Sequence, residues 1–197
     1  MTAAHVRFST VATADEVHQI LDLQAVNLPV ALTPEAMASQ GFVTVRHERA
    51  VLLRMNERAP AIIARDGGRV VGYALVMPRD FAPFVPILAP LFAMLDGLSW
   101  QGTALRDNPR WFVMGQICVA RGYRGIGVLD GLYRAMADTY RDRFDFTVTE
   151  VAERNSRSLR AHARAGFETL HVYHDATTGE RWHVIVLDFA AARLSPA

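Results

Sequence analysis

The spacing of apolar residues changes along the chain between a period of about two and a period of about 3.6, which predicts both strands and helices. The clearest helix begins at Val128 and repeats large apolar side chains at Leu129, Leu132, Tyr133, Met136 and Tyr140. Charged residues fill its opposite face, as in an amphipathic helix that packs on a core.

The remaining elements follow from the same reading of the pattern. Strands are predicted at residues 5–11, 61–65, 70–77, 111–119, 144–151, 168–174 and 182–189. Helices are predicted at residues 13–24, 33–41, 128–140 and 156–165, and residues 46–58 are compatible with another. The resulting order, β-α-α-β-β-β-α-β-α-β-β, is that of a mixed α/β domain.

Caps and turns support several of these boundaries. Thr13 and Glu16 have the spacing of a capping box at the start of the first helix. Thr33, followed by proline, begins a short helix that Gly41 ends. Residues 66–69, Asp-Gly-Gly-Arg, are typical of a tight hairpin turn, because glycine tolerates positive φ.

Residues 78–109 fit this pattern least, since they combine five prolines with many large apolar side chains. Such a segment is too apolar for a solvated loop, and the spacing from Ile87 suits a short helix. We therefore interpret it as an apolar insertion that covers something. Three roles stay open: a lid on an acceptor pocket, an interface with a partner subunit in a homodimer, or an additional core over the sheet.

Length and composition set the broad class. At 197 residues, the chain suits one domain spanning 1–197, and its charge is nearly balanced at +1, which gives no reason to expect nucleic acid as a partner. The N-terminus has no signal-peptide pattern. The longest apolar stretch, 81–95, contains three prolines and is too short to cross a bilayer. We expect a soluble, cytoplasmic protein without a membrane partner, in which the single Cys118 is a buried, inert thiol.

Two motifs point to chemistry. Arg124-Gly125-Ile126-Gly127 lies between a predicted strand and a predicted helix, where unpaired N–H groups and the helix dipole stabilise an anion. Glycine lets a pyrophosphate approach the backbone closely. The second motif begins at Asn155, a favoured helix cap, and places Ser158 and His162 on one helix face.

In this order and spacing the two motifs resemble the GCN5-related N-acetyltransferase (GNAT) superfamily, in which an acyl group moves from coenzyme A to an amine. The resemblance implies a single domain with a mixed, mostly antiparallel sheet, and acetyl-CoA as cosubstrate in a splay between the fourth and fifth predicted strands. It assigns the pyrophosphate to residues 124–128, with Leu129 replacing the usual small residue. It further implies a free backbone N–H at Ile117 or Val119 for the thioester carbonyl.

The resemblance completes the set of candidate cofactor-binding residues. The set comprises Ile117, Val119, Arg121, Arg124, Gly125, Ile126, Gly127, Val128, Asn155 and Ser158. Arg157, Arg160 and Arg164 share one helix face, which we interpret as solvated rather than as a binding site for the cofactor's 3′-phosphate.

Two residues are candidates for catalysis. His162 stands where the family commonly has a tyrosine that protonates the departing thiolate, so it is either an acid or cofactor contact, or a structural residue. Glu150, at the carboxyl end of a predicted strand, is the candidate base, although a water relay or a merely solvated carboxylate remains open. The histidines of the final hairpin form no pattern of metal ligands, so no metal is predicted.

The sequence thus predicts an acyl-CoA-dependent N-acyltransferase in which an amine of a small molecule or peptide attacks acetyl-CoA directly. The alternative is a noncatalytic acyl-CoA-binding module of the same fold, which has lost its acid at His162. The identity of the acceptor amine cannot be inferred from the sequence.

Overall fold

The structure is a computed structural model and describes residues 5–176 and 178–191. The strands are β1 (Val6–Thr10), β2 (Ile62–Asp66), β3 (Arg69–Met77), β4 (Ser99–Trp100), β5 (Thr103–Ala104), β6 (Trp111–Val119), β7 (Phe146–Ala152), β8 (Glu168–Asp175) and β9 (Glu180–Asp188). The helices are α1 (Ala14–Ala25), α2 (Pro34–Gln40), α3 (Arg49–Arg58), α4 (Ala89–Leu95), α5 (Val128–Tyr140) and α6 (Ser156–Arg164).

A seven-stranded sheet in the order β1-β2-β3-β6-β7-β9-β8 forms the centre of the fold, and β4 and β5 form a separate small hairpin. Every neighbouring pair in the large sheet is antiparallel except β6 and β7, which run parallel. The structure therefore confirms the predicted α/β fold with a mixed, mostly antiparallel sheet.

The sheet has a hydrophobic core on each face. On one face, α1 and α3 pack through Ile20, Leu52 and Met55, which are at most 2% exposed. On the other, α5 packs through Leu132 and Met136, both fully buried. Burial of these amphipathic faces is the main favourable term that holds the helices to the sheet.

The caps and turns read from the sequence are present. Thr13 and Glu16 bond reciprocally at the start of α1, and Thr33 caps α2, which Gly41 ends with a φ of 73°. Gly67 has a φ of 57° in the turn between β2 and β3, within the left-handed region that glycine favours.

Most element boundaries differ from the prediction by one or two residues, and two differences from the predicted pattern have a structural explanation. The order from the sequence has two helices before the second strand, whereas the structure has three, because α3 is a full helix from Arg49. Residues 46–48 are not part of it. The strand predicted at 144–151 runs from Phe146 to Ala152 instead. Phe144 is not part of it because its side chain packs in the core on the α5 face of the sheet, which we call the second core, where the centres of the Phe144 and Phe112 rings are 5.0 Å apart.

The insertion at 78–109 forms short 3-10 turns, α4 and the β4–β5 hairpin. Its side chains join the core that also contains α1 and α3, with Phe81, Leu91 and Leu95 all under 5% exposed. Trp111 follows the insertion and donates its indole N–H to the Leu105 carbonyl at 2.8 Å. Of the three open roles, the packing matches an additional core over the sheet.

In the described ranges, 5–176 and 178–191, no helix has both the length and the apolar character needed to cross a membrane.

Candidate functional site

A gap between β6 and β7 is the main irregularity of the sheet. The parallel pairing runs from Trp111–Phe146 to Val113–Val148 and then stops. The pairing stops because β6 carries a bulge on the side that pairs with β3. There, one residue of β3, Leu75, lies opposite two residues of β6, Gly115 and Gln116. A bulge bends its strand and increases the local twist, so β6 leaves β7 beyond this point.

Backbone groups of β6 that do not bond to β3 face this gap. The Ala120 N–H donates to the Val71 carbonyl at 2.8 Å, which makes Val71–Ala120 a hydrogen-bonded pair of the antiparallel ladder. Because the direction of backbone groups alternates along a strand, the N–H groups of Ile117 and Val119 point away from β3, towards the gap. The Val119 carbonyl also faces that way, since it accepts from Arg124 Nε at 2.7 Å.

The glycine turn closes one end of the gap. Gly125 and Gly127 have φ values of 77° and 86°, which side chains with a Cβ rarely adopt, and a Cβ at either position would meet open space. Gly127 is the N-cap of α5 and provides no side-chain cap, so the first N–H groups of α5 remain for another acceptor. This backbone can receive a phosphate group.

Arg124 has a different environment from the one that the motif suggested. Its guanidinium donates to the carbonyls of Val119 at 2.7 Å and Gln40 at 2.8 Å and to Asn27 Oδ1 at 2.6 Å. Burial lowers its pKa, and the nearby charges of Arg157 and Arg121 act in the same direction. The side chain therefore joins the glycine turn to the segment between α1 and α3.

Helix α6 and the residues just before it contact the segment between α1 and α3 from the other side of the gap. Asn155 caps α6 by accepting from the Ser158 N–H at 3.3 Å, and its Nδ2 donates to the Phe42 carbonyl at 3.1 Å. Arg157 donates to the Ser39 carbonyl at 3.1 Å, and the guanidinium of Arg154 lies 4.5 Å from the centre of the Phe42 ring. Residues 39–43 thus cross the gap and contact both of its walls.

A cleft of about 370 Å³ lies among these elements, with Ile117, Val119 and Arg124 on one wall and Asn155 and Ser158 on the other. A narrower cavity of about 60 Å³ continues between β6 and β7. Both spaces are lined by Phe42, Val43, Ile117, Asn155 and Ser158. The two spaces therefore adjoin, and we refer to them together as the channel, with the smaller space between β6 and β7 as its narrow end.

Glu150 lies on the wall of the narrow cavity. Burial raises its pKa, although a hydrogen bond from the Tyr173 hydroxyl at 2.7 Å acts in the opposite direction. Burial and the neighbouring Glu150 raise the pKa of Tyr173, so the phenol stays protonated. A carboxylate with a raised pKa is better matched to accept a proton near neutral pH than an ordinary one.

His162 also lines the narrow cavity and is 2% exposed. Its Nδ1 lies 2.8 Å from the Ser158 carbonyl oxygen, and since a carbonyl only accepts, this nitrogen carries the hydrogen. Burial lowers the pKa of His162 to about 4. The ring is therefore neutral at pH 7, and its Nε2 is an acceptor without a hydrogen-bond partner in the described chain.

The structure brings most of the predicted site residues together. Ile117, Val119, Arg124, Gly125, Gly127, Asn155 and Ser158 line the cleft, and Glu150 and His162 line its narrow end. Arg121, Ile126 and Val128 are not on either wall: Arg121 is exposed in the preceding turn, and Val128 is buried in the second core. Their binding roles stay predictions, through the backbone in the case of Ile126 and Val128.

Several lining residues were not predicted as part of the site. Arg157, Arg160 and Arg164, interpreted from the sequence as a solvated face, lie on the cleft wall with Leu129. The segment around Phe42 was missed altogether, and its only local signal is Gly41, whose φ is positive. A Cβ on Gly41 would lie 3.0 Å from Asn155 Oδ1, so the close approach to α6 favours glycine.

Cys118 is buried, as predicted, and burial raises the pKa of its thiol to about 11, which leaves it protonated and unreactive. Among the residues that the structure describes, no three His, Cys, Asp or Glu side chains are grouped closely enough to hold a metal ion.

Solved structures share this fold. yncA of Salmonella typhimurium, solved with its cofactor acetyl-CoA, is 15% identical, with 94% of each chain covered and a TM-score of 0.59. The ribosomal-protein-S18-alanine N-acetyltransferase of Escherichia coli is 13% identical, with 93% of this chain and 94% of that chain covered and a TM-score of 0.58. A chain of the NatC complex bound to Gag peptide and CoA is 14% identical, with 93% and 98% covered and a TM-score of 0.62. At these identities the likeness concerns the fold alone.

Sequence comparison gives the assignment. No curated protein matches the chain. The model of the Acetyltransferase (GNAT) family matches residues 18–167, which include the glycine turn, Glu150, Asn155 and His162. The chain therefore belongs to the GNAT family of acetyltransferases.

Proposed function

We propose that this protein transfers an acetyl group from acetyl-CoA to an amine by direct attack. The observation that carries the proposal is the gap between β6 and β7, because it places a helix end suited to an anion and the half-buried carboxylate of Glu150 on two adjoining cavities. Acetyl-CoA supplies the thioester from which the acetyl group is transferred. Its presence in one structure of the same fold supports this choice.

The wide end of the channel suits the phosphates. The N–H groups of the turn at Gly125 and Gly127 and of the first turn of α5 would bind the pyrophosphate. Arg157, Arg160 and Arg164 add positive charge to the same wall. Arg124 is better suited to position the turn than to bind phosphate, because its guanidinium already has three acceptors in the protein.

The narrow end suits the reacting atoms. The Ile117 N–H, which faces the gap, would donate to the thioester carbonyl as negative charge develops on its oxygen. Glu150 would take a proton from the acceptor ammonium, which frees the nitrogen lone pair for attack. Attack by the amine is proposed to be direct, without an acyl-enzyme at Cys118, since burial keeps that thiol protonated at neutral pH.

His162 has no hydrogen to give to the sulfur in this arrangement. Its single N–H is directed at the Ser158 carbonyl, and protonation of Nε2 requires a pH near its pKa of about 4. We propose that His162 contacts the cofactor as a neutral acceptor or completes the packing, and that the departing thiolate takes the proton that the attacking nitrogen releases as the amide forms.

The test is turnover of acetyl-CoA against a panel of amines, with the released thiol followed spectroscopically and acetyl-CoA binding measured by calorimetry. Binding with turnover of at least one amine supports the proposal. Binding with no thiol release for any amine would indicate a noncatalytic acyl-CoA-binding module. Absence of binding would contradict both functions.

A further inference from the structure

Residues 42–47, which we name the cleft strip, have the burial pattern of a strand but belong to no sheet. Val43, Val45 and His47 are 5–8% exposed, whereas Thr44 and Arg46 face outwards. A strand outside a sheet needs other partners for its backbone, because buried N–H and C=O groups without partners are costly.

Two glutamine side chains take the place of a neighbouring strand. Gln24 of α1 accepts from the His47 N–H at 2.8 Å and donates from Nε2 to His47 Nδ1 at 2.9 Å. Gln116 of β6 donates from Nε2 to the Val45 carbonyl at 2.8 Å. The cleft strip is therefore held at alternate residues, as a sheet partner would hold it.

The two glutamines are also joined to each other. Gln24 Nε2 donates to Gln116 Oε1 at 2.8 Å, and the same oxygen accepts from the Tyr73 hydroxyl. Gln24, Gln116 and Tyr73 are all at least 93% buried. A buried network in which the amide groups have partners is rigid, because each lost bond leaves a polar group without water.

The network is next to the reacting end of the channel. Gln116 belongs to the bulge that opens the gap, and it lines the narrow cavity beside Ile117. Phe42, Val43 and Thr44 of the cleft strip form part of the same cavity wall. The position of this wall thus depends on Gln24 and Gln116.

We propose that Gln24 and Gln116 are positioning residues, and that the cleft strip they hold limits the length of the acyl chain that the protein accepts. The inference rests on the proposed function, since it assumes that the acyl group lies in the narrow cavity. The cavity measures only about 60 Å³, against about 370 Å³ for the cleft. Within this space a longer acyl chain would meet Phe42, Val43 and Thr44 of the strip.

Gln24→Met tests the positioning role, because it keeps the length and apolar stem of the side chain while removing its amide. The ratio of butyryl-CoA to acetyl-CoA in kcat/KM should rise about tenfold or more, as expected when a pocket gains room for methylene groups. The affinity for butyryl-CoA relative to that for acetyl-CoA, measured by calorimetry, should also rise. Backbone hydrogen exchange in residues 42–48 should become faster.

Gln19→Met is the matched control. Gln19 also lies on α1 and bonds backbone groups, accepting from the Val70 N–H at 2.8 Å and donating to the Gly68 carbonyl at 3.3 Å, but at the β2–β3 hairpin. It should leave both the acyl-chain ratio and exchange in residues 42–48 at wild-type values.

Thr44→Ala shortens a side chain of the cavity wall at an exposed position and leaves the glutamine network intact. It therefore tests whether the cleft strip limits acyl-chain length if Gln24→Met does not fold. An unchanged acyl-chain ratio in folded Thr44→Ala, or in folded Gln24→Met, overturns the inference. If the wild type binds acyl-CoA but transfers nothing, the proposed function fails, and the ratio of affinities still decides the inference. If it binds no acyl-CoA, both fail.

Discussion

At the scale of single residues, the glycine turn combines backbone geometry with function. Gly127 caps α5 at a φ of 86°, and a side chain there would extend into open space at the wall of the cleft. We expect Gly127→Val to lower acetyl-CoA affinity by at least about tenfold, because its side chain would occupy the position of the pyrophosphate. Isothermal titration calorimetry measures the affinity directly.

The control is a glycine of similar positive φ that does not line the cleft. Gly179, in the turn between β8 and β9, has a φ of 69°, and a Cβ there would likewise meet open space. Gly179→Val should lose a similar free energy of unfolding, on the order of 1 kcal/mol, and keep wild-type acetyl-CoA affinity. Undiminished affinity in folded Gly127→Val would contradict the assignment of the pyrophosphate to this turn.

Glu150 allows a prediction about pH. Because burial raises its pKa, the proton of the carboxyl is lost at a higher pH than in an ordinary glutamate. A base must be deprotonated to act, so kcat/KM should fall as the pH is lowered through this raised pKa. Glu150→Gln should lower kcat by roughly 10²-fold or more and remove this acidic limb from the pH–rate profile.

Glu153 provides the matched control. It lies three residues further along, is exposed, and pairs with Arg181 at 3.5 Å and His183 at 3.3 Å. Glu153→Gln should retain the rate and the acidic limb of the wild type. If Glu150→Gln does the same, Glu150 is not the base, and a water relay with another acceptor is indicated.

At the scale of elements, the insertion at 78–109 acts as core. Leu95 of α4 is fully buried, and none of the insertion's residues lines the cleft or the narrow cavity. Leu95→Ala should lower the free energy of unfolding by about 2–5 kcal/mol, the usual cost of removing a buried leucine side chain. Urea denaturation gives this value, and KM for acetyl-CoA should be unchanged.

Ile87→Ala is the control in the same segment, since Ile87 is 68% exposed and should contribute less than about 0.5 kcal/mol. The outcome that contradicts this interpretation is a change in acceptor KM with little change in stability. That result would indicate that the insertion covers the acceptor pocket, one of the three roles left open by the sequence.

The elements that the sequence predicts well are those with local signals. The periodicity of α5, the cap at Thr13 and the positive φ at Gly127 each depend on residues close together in the chain. The cleft strip has no such signal. Its anchors, Gln24 and Gln116, are 92 residues apart, and glutamine in an apolar run gives no sign of which backbone it will bond.

His162 shows the same limit within the site. Its position after Asn155 can be read from the sequence, which left open whether the histidine is an acid, a cofactor contact or a structural residue. Its chemistry depends on burial among the rings of Tyr133 and Phe167, whose centres lie 5.6 Å and 4.9 Å away. That packing joins α5, α6 and the connection between α6 and β8, so the low pKa of the ring could be found only in the folded structure.

At the scale of the whole molecule, two neutral histidines are buried on opposite faces of the sheet. His47 belongs to the network of Gln24 and Gln116, and His162 lies beside α5. Burial lowers the pKa of each to about 4, against 6.5 for an unperturbed histidine. Between these values the unfolded chain binds protons that the folded protein does not, so acid favours unfolding.

The stability of the molecule should therefore fall as the pH is lowered from about 6.5 to about 4, with each histidine contributing on the order of 3 kcal/mol at the low end. His162→Phe, which keeps a ring in the aromatic cluster, should show a smaller loss of unfolding free energy between pH 7 and pH 4.5 in urea denaturation. His18→Gln, at an exposed site on α1, should show the full wild-type loss. If His162→Phe loses as much stability as the wild type, folding does not lower the pKa of His162, and the ring is charged in a fraction of the molecules near neutral pH. Its Nε2 would then carry a hydrogen, and the thiolate would have its acid at His162 after all.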